Sequence, residues 1–155
     1  MPACPHLCHA RTYARTRQGG FTLIELMITL AMIGILAAIA MSIYTAFVAR
    51  GYNDQAKGDL MSAVTSQESF FADNNAYAAG IATLQFTPHT NVTILFTVNG
   101  ITFNACAKHL WGDKIYGYDS DTGKYYQQDS ARNVALAACP AATAGDDFAG
   151  WQAMQ

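Results

Sequence analysis

The 155-residue sequence has no excess of basic side chains: nine Lys and Arg stand against eleven Asp and Glu, for a net charge of −2. Without a basic field there is no electrostatic means of holding a nucleic-acid backbone, and no direct nucleic-acid binding is expected. Catalytic signatures are missing as well. There is no histidine–carboxylate motif and no glycine-rich phosphate loop, and Ser, His and Asp recur without a recognisable spacing. Neither an enzyme nor a cofactor is expected. The most telling absence is local: from Leu26 to Ala49 no side chain is charged, and the polar groups are Thr29, Ser42, Thr45 and the Tyr44 hydroxyl.

A helix of that length reaches about 36 Å, enough to cross a hydrocarbon core of about 30 Å. Lipid offers no partners for free backbone groups, so a spanning segment must be helical. The run therefore reads as a membrane helix, and Arg11, Arg15 and Arg17 before it hold the N-terminus in the cytoplasm. One acid interrupts the apolar pattern, Glu25, near the helix start. It either complements the amide dipole at the interface or has a partner of opposite charge. Gly19-Gly20 offers a small-residue cleavage point directly before Phe21. A secretory signal is cut after its apolar region; here the cut lies before it, so the apolar helix survives processing. Cys4, His6, Cys8 and His9 could be read as a thiolate–imidazole cluster, but their spacing fits no standard zinc pattern and cleavage discards them.

Gly20-Phe21-Thr22-Leu23-Ile24-Glu25-Leu26, with the basic leader before it and the apolar run after it, resembles the cleavage and methylation motif of type IV pilins. The resemblance covers about Gly19 to Arg50, and the layout of the rest is similar. It implies that a prepilin peptidase cuts after Gly20 and that the new amine of Phe21 is N-methylated. It also implies that Glu25 meets the Phe21 amine of a neighbouring subunit, since a buried carboxylate is tolerable beside a cation and not alone. Many relatives have a helix-breaking proline near the position held here by Ser42. Its absence leaves open whether this helix partly unwinds in a filament.

Beyond the span, one helix is expected to continue from Phe21 to about Asn74. Tyr52, Ala56, Leu60, Ala63, Val64, Gln67, Phe70 and Phe71 form its apolar stripe, with Asn53, Asp54, Lys57, Ser62, Ser66 and Glu68 on the other side. A loop from Tyr77 to Thr90 follows, in which His89 is expected to be solvated. The next run alternates from Val92 to Val98 and returns through Ile101, Phe103 and Ala105, with Asn99-Gly100 as a type I′ turn. Lys114 to Tyr118 and Lys124 to Gln127 make a second, tyrosine-rich hairpin around Asp119-Ser120-Asp121-Thr122-Gly123. That loop is similar to the opening of a calcium site, with Asp119 and Asp121 as candidate ligands, but lacks a following bidentate Glu and is also ordinary turn chemistry. Trp111-Gly112 with Tyr116 and Tyr118 is faintly similar to the major pseudopilins of type II secretion, which can hold calcium.

Once the leader is removed, Cys106 and Cys139 remain, and two thiols exported to an oxidising compartment read as one disulfide. Type IV pilins often have such a bridge near the C-terminus, around a variable surface region. The other reading is two unrelated buried thiols. A bridge here would close a loop of about thirty residues, for about 3–4 kcal/mol in the chain-entropy treatment, and would make the tyrosine hairpin the candidate exposed face. The tail, Pro140 to Gln155, is expected to pack loosely.

The expected fold is α+β: a long N-terminal helix packed on a small antiparallel sheet of about four strands, as in type IV pilins. The expected division is a leader at 1–20, a hydrophobic helix at 21–50 and a periplasmic or extracellular domain at 51–155. The implied function is that of a pilus subunit serving adhesion, motility or surface interaction. Its implied partners are identical subunits, the prepilin peptidase, and the inner-membrane assembly platform with its ATPase. The precursor is expected in the inner membrane and the product in an extracellular filament. The alternatives are a pseudopilin or minor pilin and, from a different class, a bitopic membrane protein that binds a ligand and never polymerises.

Overall fold

Helix α1 (Leu23–Asn74) runs without interruption through Ser42, where no proline breaks it. The computed structural model describes residues 19–154, so the leader's Cys4, His6, Cys8, His9 and arginines lie outside the described residues. One compact unit ends at Ile39 and a second begins at Ala40. In the first, the described helix residues are all solvent-exposed. In the second, α1 buries Ala49, Asn53, Ala56, Leu60, Ala63 and Gln67, a 4-3-4-3-4 succession that holds one face of a helix toward the core. Asn53, expected on the polar side, is therefore 4% exposed. Asn75 ends the helix in the left-handed region at φ 52°, and its N–H donates to the Phe71 carbonyl at 2.8 Å.

Five strands follow as an antiparallel meander, β1 (Val92–Asn99), β2 (Thr102–His109), β3 (Lys114–Asp119), β4 (Lys124–Asp129) and β5 (Gln152–Ala153), in spatial order β1-β2-β3-β4-β5. The fifth, two residues long, is too short to carry an alternation and pairs the tail to β4 through Tyr126↔Ala153 and Gln127↔Gln152. A 3₁₀ turn (Ile81–Leu84) lies in the loop after α1.

The first hairpin differs from expectation in its turn. Asn99 pairs with Thr102, so the two loop residues are Gly100 and Ile101, and only Gly100, at φ 63°, enters the left-handed region. That is the type II′ pattern, in place of an Asn99-Gly100 type I′ turn. Ile101 consequently sits at the tip, 78% exposed, instead of on the return strand. The shift of two residues keeps every side chain on its face. It sets Ala105 opposite Phe96 and Ala107 opposite Ile94, where the other register opposes Phe96 to Phe103. Large-against-small pairing leaves room for α1 to pack.

The sheet is covered on both sides. Toward α1 it presents Val92, Ile94, Phe103, Ala105, Ala107 and Tyr116, against Ala56, Leu60, Ala63 and Val64. On the other face, Cys106 and Tyr126 pack with Leu136 and Phe148, with Cys139 and Trp151 alongside. The tail is thus firmly seated, with Phe148 1% exposed. β2, lying between α1 and the tail, is buried from Phe103 to His109. The tyrosine hairpin is not an open face either: Tyr116 and Tyr126 are buried and Tyr118 and Tyr125 half-buried. Burial first, and then the Asp54 and Asp113 carboxylates, together push the Tyr116 hydroxyl up to about 12.

Candidate functional site

At the N-terminal end of α1, Gly19 to Thr22 are exposed and non-helical, and Phe21 is 92% exposed. Thr22 is the N-cap. The Glu25 N–H donates to Thr22 Oγ1 at 3.2 Å, while the Thr22 N–H and hydroxyl both donate to Glu25 Oε2 at 2.9 Å. This is a reciprocal capping box, and it satisfies helix-start donors that would otherwise be orphaned. The box occupies one carboxylate oxygen; Oε1 takes no bond from the described residues. Gly19, Gly20, Phe21 and Glu25 line one small surface groove. The three residues singled out from sequence, Gly20, Phe21 and Glu25, therefore lie together. The Gly20–Phe21 bond is in an open segment that a peptidase could take in extended form. Glu25 has one oxygen left for a cation.

Behind this start lies the apolar run. Large side chains from Leu26 to Phe47 are 48–70% exposed, and an eighteen-residue window within α1 is both apolar enough to cross a membrane and unburied. Nothing among the described residues covers it. Such a surface is stable only in lipid or against other apolar surfaces.

The remaining candidates fall elsewhere. Cys106 and Cys139 are disulfide-bonded with a Cα–Cα distance of 5.5 Å, tying β2 to the tail across 33 residues. Along the same face of β2, the Lys108 ammonium donates to the Ala131 carbonyl at 2.9 Å and to that of Val134, and its pKa is lowered by burial. The Asn104 amide donates to the Ala141 carbonyl at 3.2 Å and to Asp147 at 2.9 Å. Asn104, Cys106 and Lys108 thus form one row of anchors for residues 131–147. Asp119 is 1% exposed, and its Oδ1 accepts the N–H groups of Asp121 and Thr122 at 2.9 and 3.3 Å. Asp121 accepts the Gly145 N–H at 2.7 Å. Both candidate calcium ligands here hold backbone amides of their own loop and of the tail, the arrangement of an Asx turn. No group of three or more His, Cys, Asp or Glu suited to a metal occurs among the described residues.

Two clamps on α1 are not apparent in the sequence. Asp59, 4% exposed, accepts the His89 N–H and its Nδ1, each at 2.7 Å, so His89 is solvated as expected, its side chain 66% exposed, and also holds a buried acid. Gln67 grips both backbone groups of Ala78, at 2.7 and 2.9 Å. Together they fasten both ends of the loop after α1. The 4-3-4 succession includes Asn53 and Gln67 by position. Asp59 follows only from three-dimensional proximity to a residue thirty positions away.

Residues 15–41 match the family model described as the prokaryotic N-terminal methylation motif. The chain is 32% identical over 127 residues to the type IV wide pilus major component PilA4 of Thermus thermophilus, covering 78% of this chain and 96% of that protein. It is 46% identical over 72 residues to the type IV major pilin protein PilA of Myxococcus xanthus, covering 46% of this chain and 33% of that one. A fimbrial protein of Pseudomonas aeruginosa is 50% identical over 52 residues, about a third of each chain. The chain thus spans nearly all of the Thermus relative and about a third of the other two.

Proposed function

This chain belongs to the type IV pilin family, and on that premise we propose that it is the structural subunit of a pilus filament, assembled through α1. The observation that carries the reading is the uncovered apolar surface from Leu26 to Phe47, directly preceded by a capped, exposed Gly20-Phe21 junction. The precursor waits in the inner membrane with its N-terminus in the cytoplasm. The prepilin peptidase cuts after Gly20, and the Phe21 amine is N-methylated. The assembly platform and its ATPase then draw the subunit out, and Leu26 to Phe47 exchange lipid for neighbouring helices. Transfer between two apolar surroundings gains little by itself, so the docking position is set by a polar pair. Glu25, with Oε1 free beyond its capping box, takes the Phe21 amine of an adjacent subunit. Once buried, either charge alone would be expensive. The role is architectural and needs no catalytic group.

Mass spectrometry of material sheared from the cell surface tests this reading. The dominant species is expected to begin at N-methylated Phe21 and to lack two hydrogens for the Cys106–Cys139 bridge. A processed chain found only in membranes would instead indicate a pseudopilin or minor pilin. An uncut chain in the membrane would refute the assignment and leave the bitopic alternative. Glu25→Ala is expected to abolish filaments while the processed subunit stays in the membrane; unimpaired assembly would refute the pairing.

A further inference from the structure

Just past the apolar run, the sheet domain carries a cluster of three rings, Tyr52, His109 and Trp111. Tyr52 follows Ala49, the end of the charge-free stretch, by three residues. Its ring stacks on His109 with centroids 4.4 Å apart and meets Trp111 edge-on at 5.3 Å. His109 is 2% exposed, but Trp111 remains 44% exposed. The turn that carries Trp111 is fixed at this level of α1 by Asn53. The Asn53 amide donates to Asp113 Oδ1 at 2.7 Å, and its Oδ1 accepts the N–H groups of Asp113 and Lys114 at 3.1 and 3.2 Å. Gly112 fits against the same side chain so closely that a Cβ there would stand 2.6 Å from Asn53 Oδ1. The height of Trp111 along α1 is therefore set.

That height has a meaning in a bilayer. Three helical residues rise about 4.5 Å, and the headgroup layer on each side of the hydrocarbon is about 5–7 Å thick. With the span ending near Ala49, Tyr52 and Trp111 fall in the layer where amphipathic rings concentrate. Arg50 is exposed beside them, with a stem long enough to lay its charge among headgroups. Asp54, one helical turn on and exposed, carries the opposite charge to Arg50, while Arg132 pairs with Asp113 at 3.5 Å and Lys114 with Asp129 at 2.6 Å.

We propose that Trp111, seated on Tyr52 and held by the Asn53 clamp, is an interfacial anchor that docks the sheet domain on the phospholipid headgroup layer while the subunit waits in the membrane. The inference rests on the membrane-anchored precursor of the proposed function. It assigns the surface a lipid partner by ring chemistry. Since Asp54 offsets Arg50 and the neighbouring ion pairs are self-neutralising, docking draws mainly on aromatic burial and depends little on lipid charge.

The test uses the full chain in phosphatidylcholine vesicles containing lipid brominated near the headgroup end of its acyl chains. Trp151→Phe leaves Trp111 as the reporter, and Trp111→Phe leaves Trp151. Bromine quenching is expected to be at least about twofold greater for Trp111 than for Trp151, and unchanged when phosphatidylglycerol is added. Flotation of the protein with the vesicles is read on the same samples. A chain that floats while Trp111 is quenched no more than Trp151 overturns the anchor and leaves the membrane reading intact; a chain that does not float overturns both. Quenching confined to anionic vesicles overturns the aromatic basis of docking. Should Trp151→Phe fail to fold, the unsubstituted chain beside Trp111→Phe still decides: a quenchable fraction of the emission that Trp111→Phe removes supports the anchor, and one that Trp111→Phe leaves, or none at all, overturns it.

Discussion

Gly117 lies under the ring that closes the outer face of the sheet, and adding one methyl group there should unseat the tail. A Cβ on Gly117 would stand 2.2 Å from Phe148 Cε1 and 2.8 Å from Cδ1 and Cζ. Optimal carbon–carbon contact is about 3.5–4.0 Å, so the ring must move by more than an ångström or the strand must bend. Phe148 is not free to move. It is stacked on Tyr126 with centroids 4.9 Å apart and meets Trp151 edge-on at 5.0 Å. Overpacking costs about 1–3 kcal/mol, and each disturbed aromatic pair adds up to about 1 kcal/mol. Gly117→Ala is therefore expected to destabilise by about 2–3 kcal/mol, which in a domain of roughly a hundred residues lowers Tm by at least about 10 °C. The assay is thermal unfolding of the full chain in detergent micelles, followed by tryptophan emission and near-ultraviolet circular dichroism. The decisive comparison is with Phe148→Ala, which alone should cost about 3–5 kcal/mol. Without the ring, Gly117→Ala should be neutral or mildly stabilising, because Ala is better placed than Gly inside a strand. An alanine that melts within about 2 °C of the parent, or that costs as much without Phe148 as with it, would refute the steric argument.

His109 should make the sheet domain acid-sensitive. Its pKa lies below the usual histidine value because it is buried, and its Nδ1 accepts the Trp111 N–H at 3.1 Å. The unfolded chain therefore takes up the proton first. Stability is full above about pH 6.5 and falls as pH drops toward the folded pKa. Melting at pH 7.5 and 5.5 checks this, and a Tm that is flat or rises on acidification contradicts it. Reducing the Cys106–Cys139 bridge should cost about 3–4 kcal/mol, read as a lower urea midpoint with reductant than without. Asp59→Asn should weaken the grip on His89 by about 1–3 kcal/mol and speed hydrogen exchange at the His89 amide, with little added effect once His89 is Ala.

Much of the fold was legible because its signals are local. The charge-free run, the alternation from Val92 to Val98 and the turn residues between β3 and β4 each report on neighbours in sequence. Where the reading went astray, a distant surface decided. Asn53 sits on the buried face by spacing, but residue type alone sends it to solvent; it is buried because the β2–β3 turn brings two N–H donors and a carboxylate acceptor, which one amide side chain satisfies together. Asn99-Gly100 is a strong local turn signal, yet the register was set by which side chains stand opposite each other beneath α1, Phe96 against Ala105 and not Phe103. The tyrosines of the second hairpin could be placed on strands but not on faces, since nothing nearby in sequence tells that the tail returns to cover β4.

At the candidate site the division is sharper. Gly20, Phe21, Thr22 and Glu25 lie within six consecutive residues, so their sequence order alone determined their proximity, the capping geometry and the apolar surface that follows. A helix start needs no tertiary contact to exist. The partners of Asn53, Asp59, Gln67 and Lys108 were decided only by the tertiary structure. Each is satisfied by a group eleven to sixty positions away. A buried polar group must find a partner wherever the fold brings one. The chain order that lets this protein insert and assemble was written locally; what holds its sheet domain closed could be read only in three dimensions.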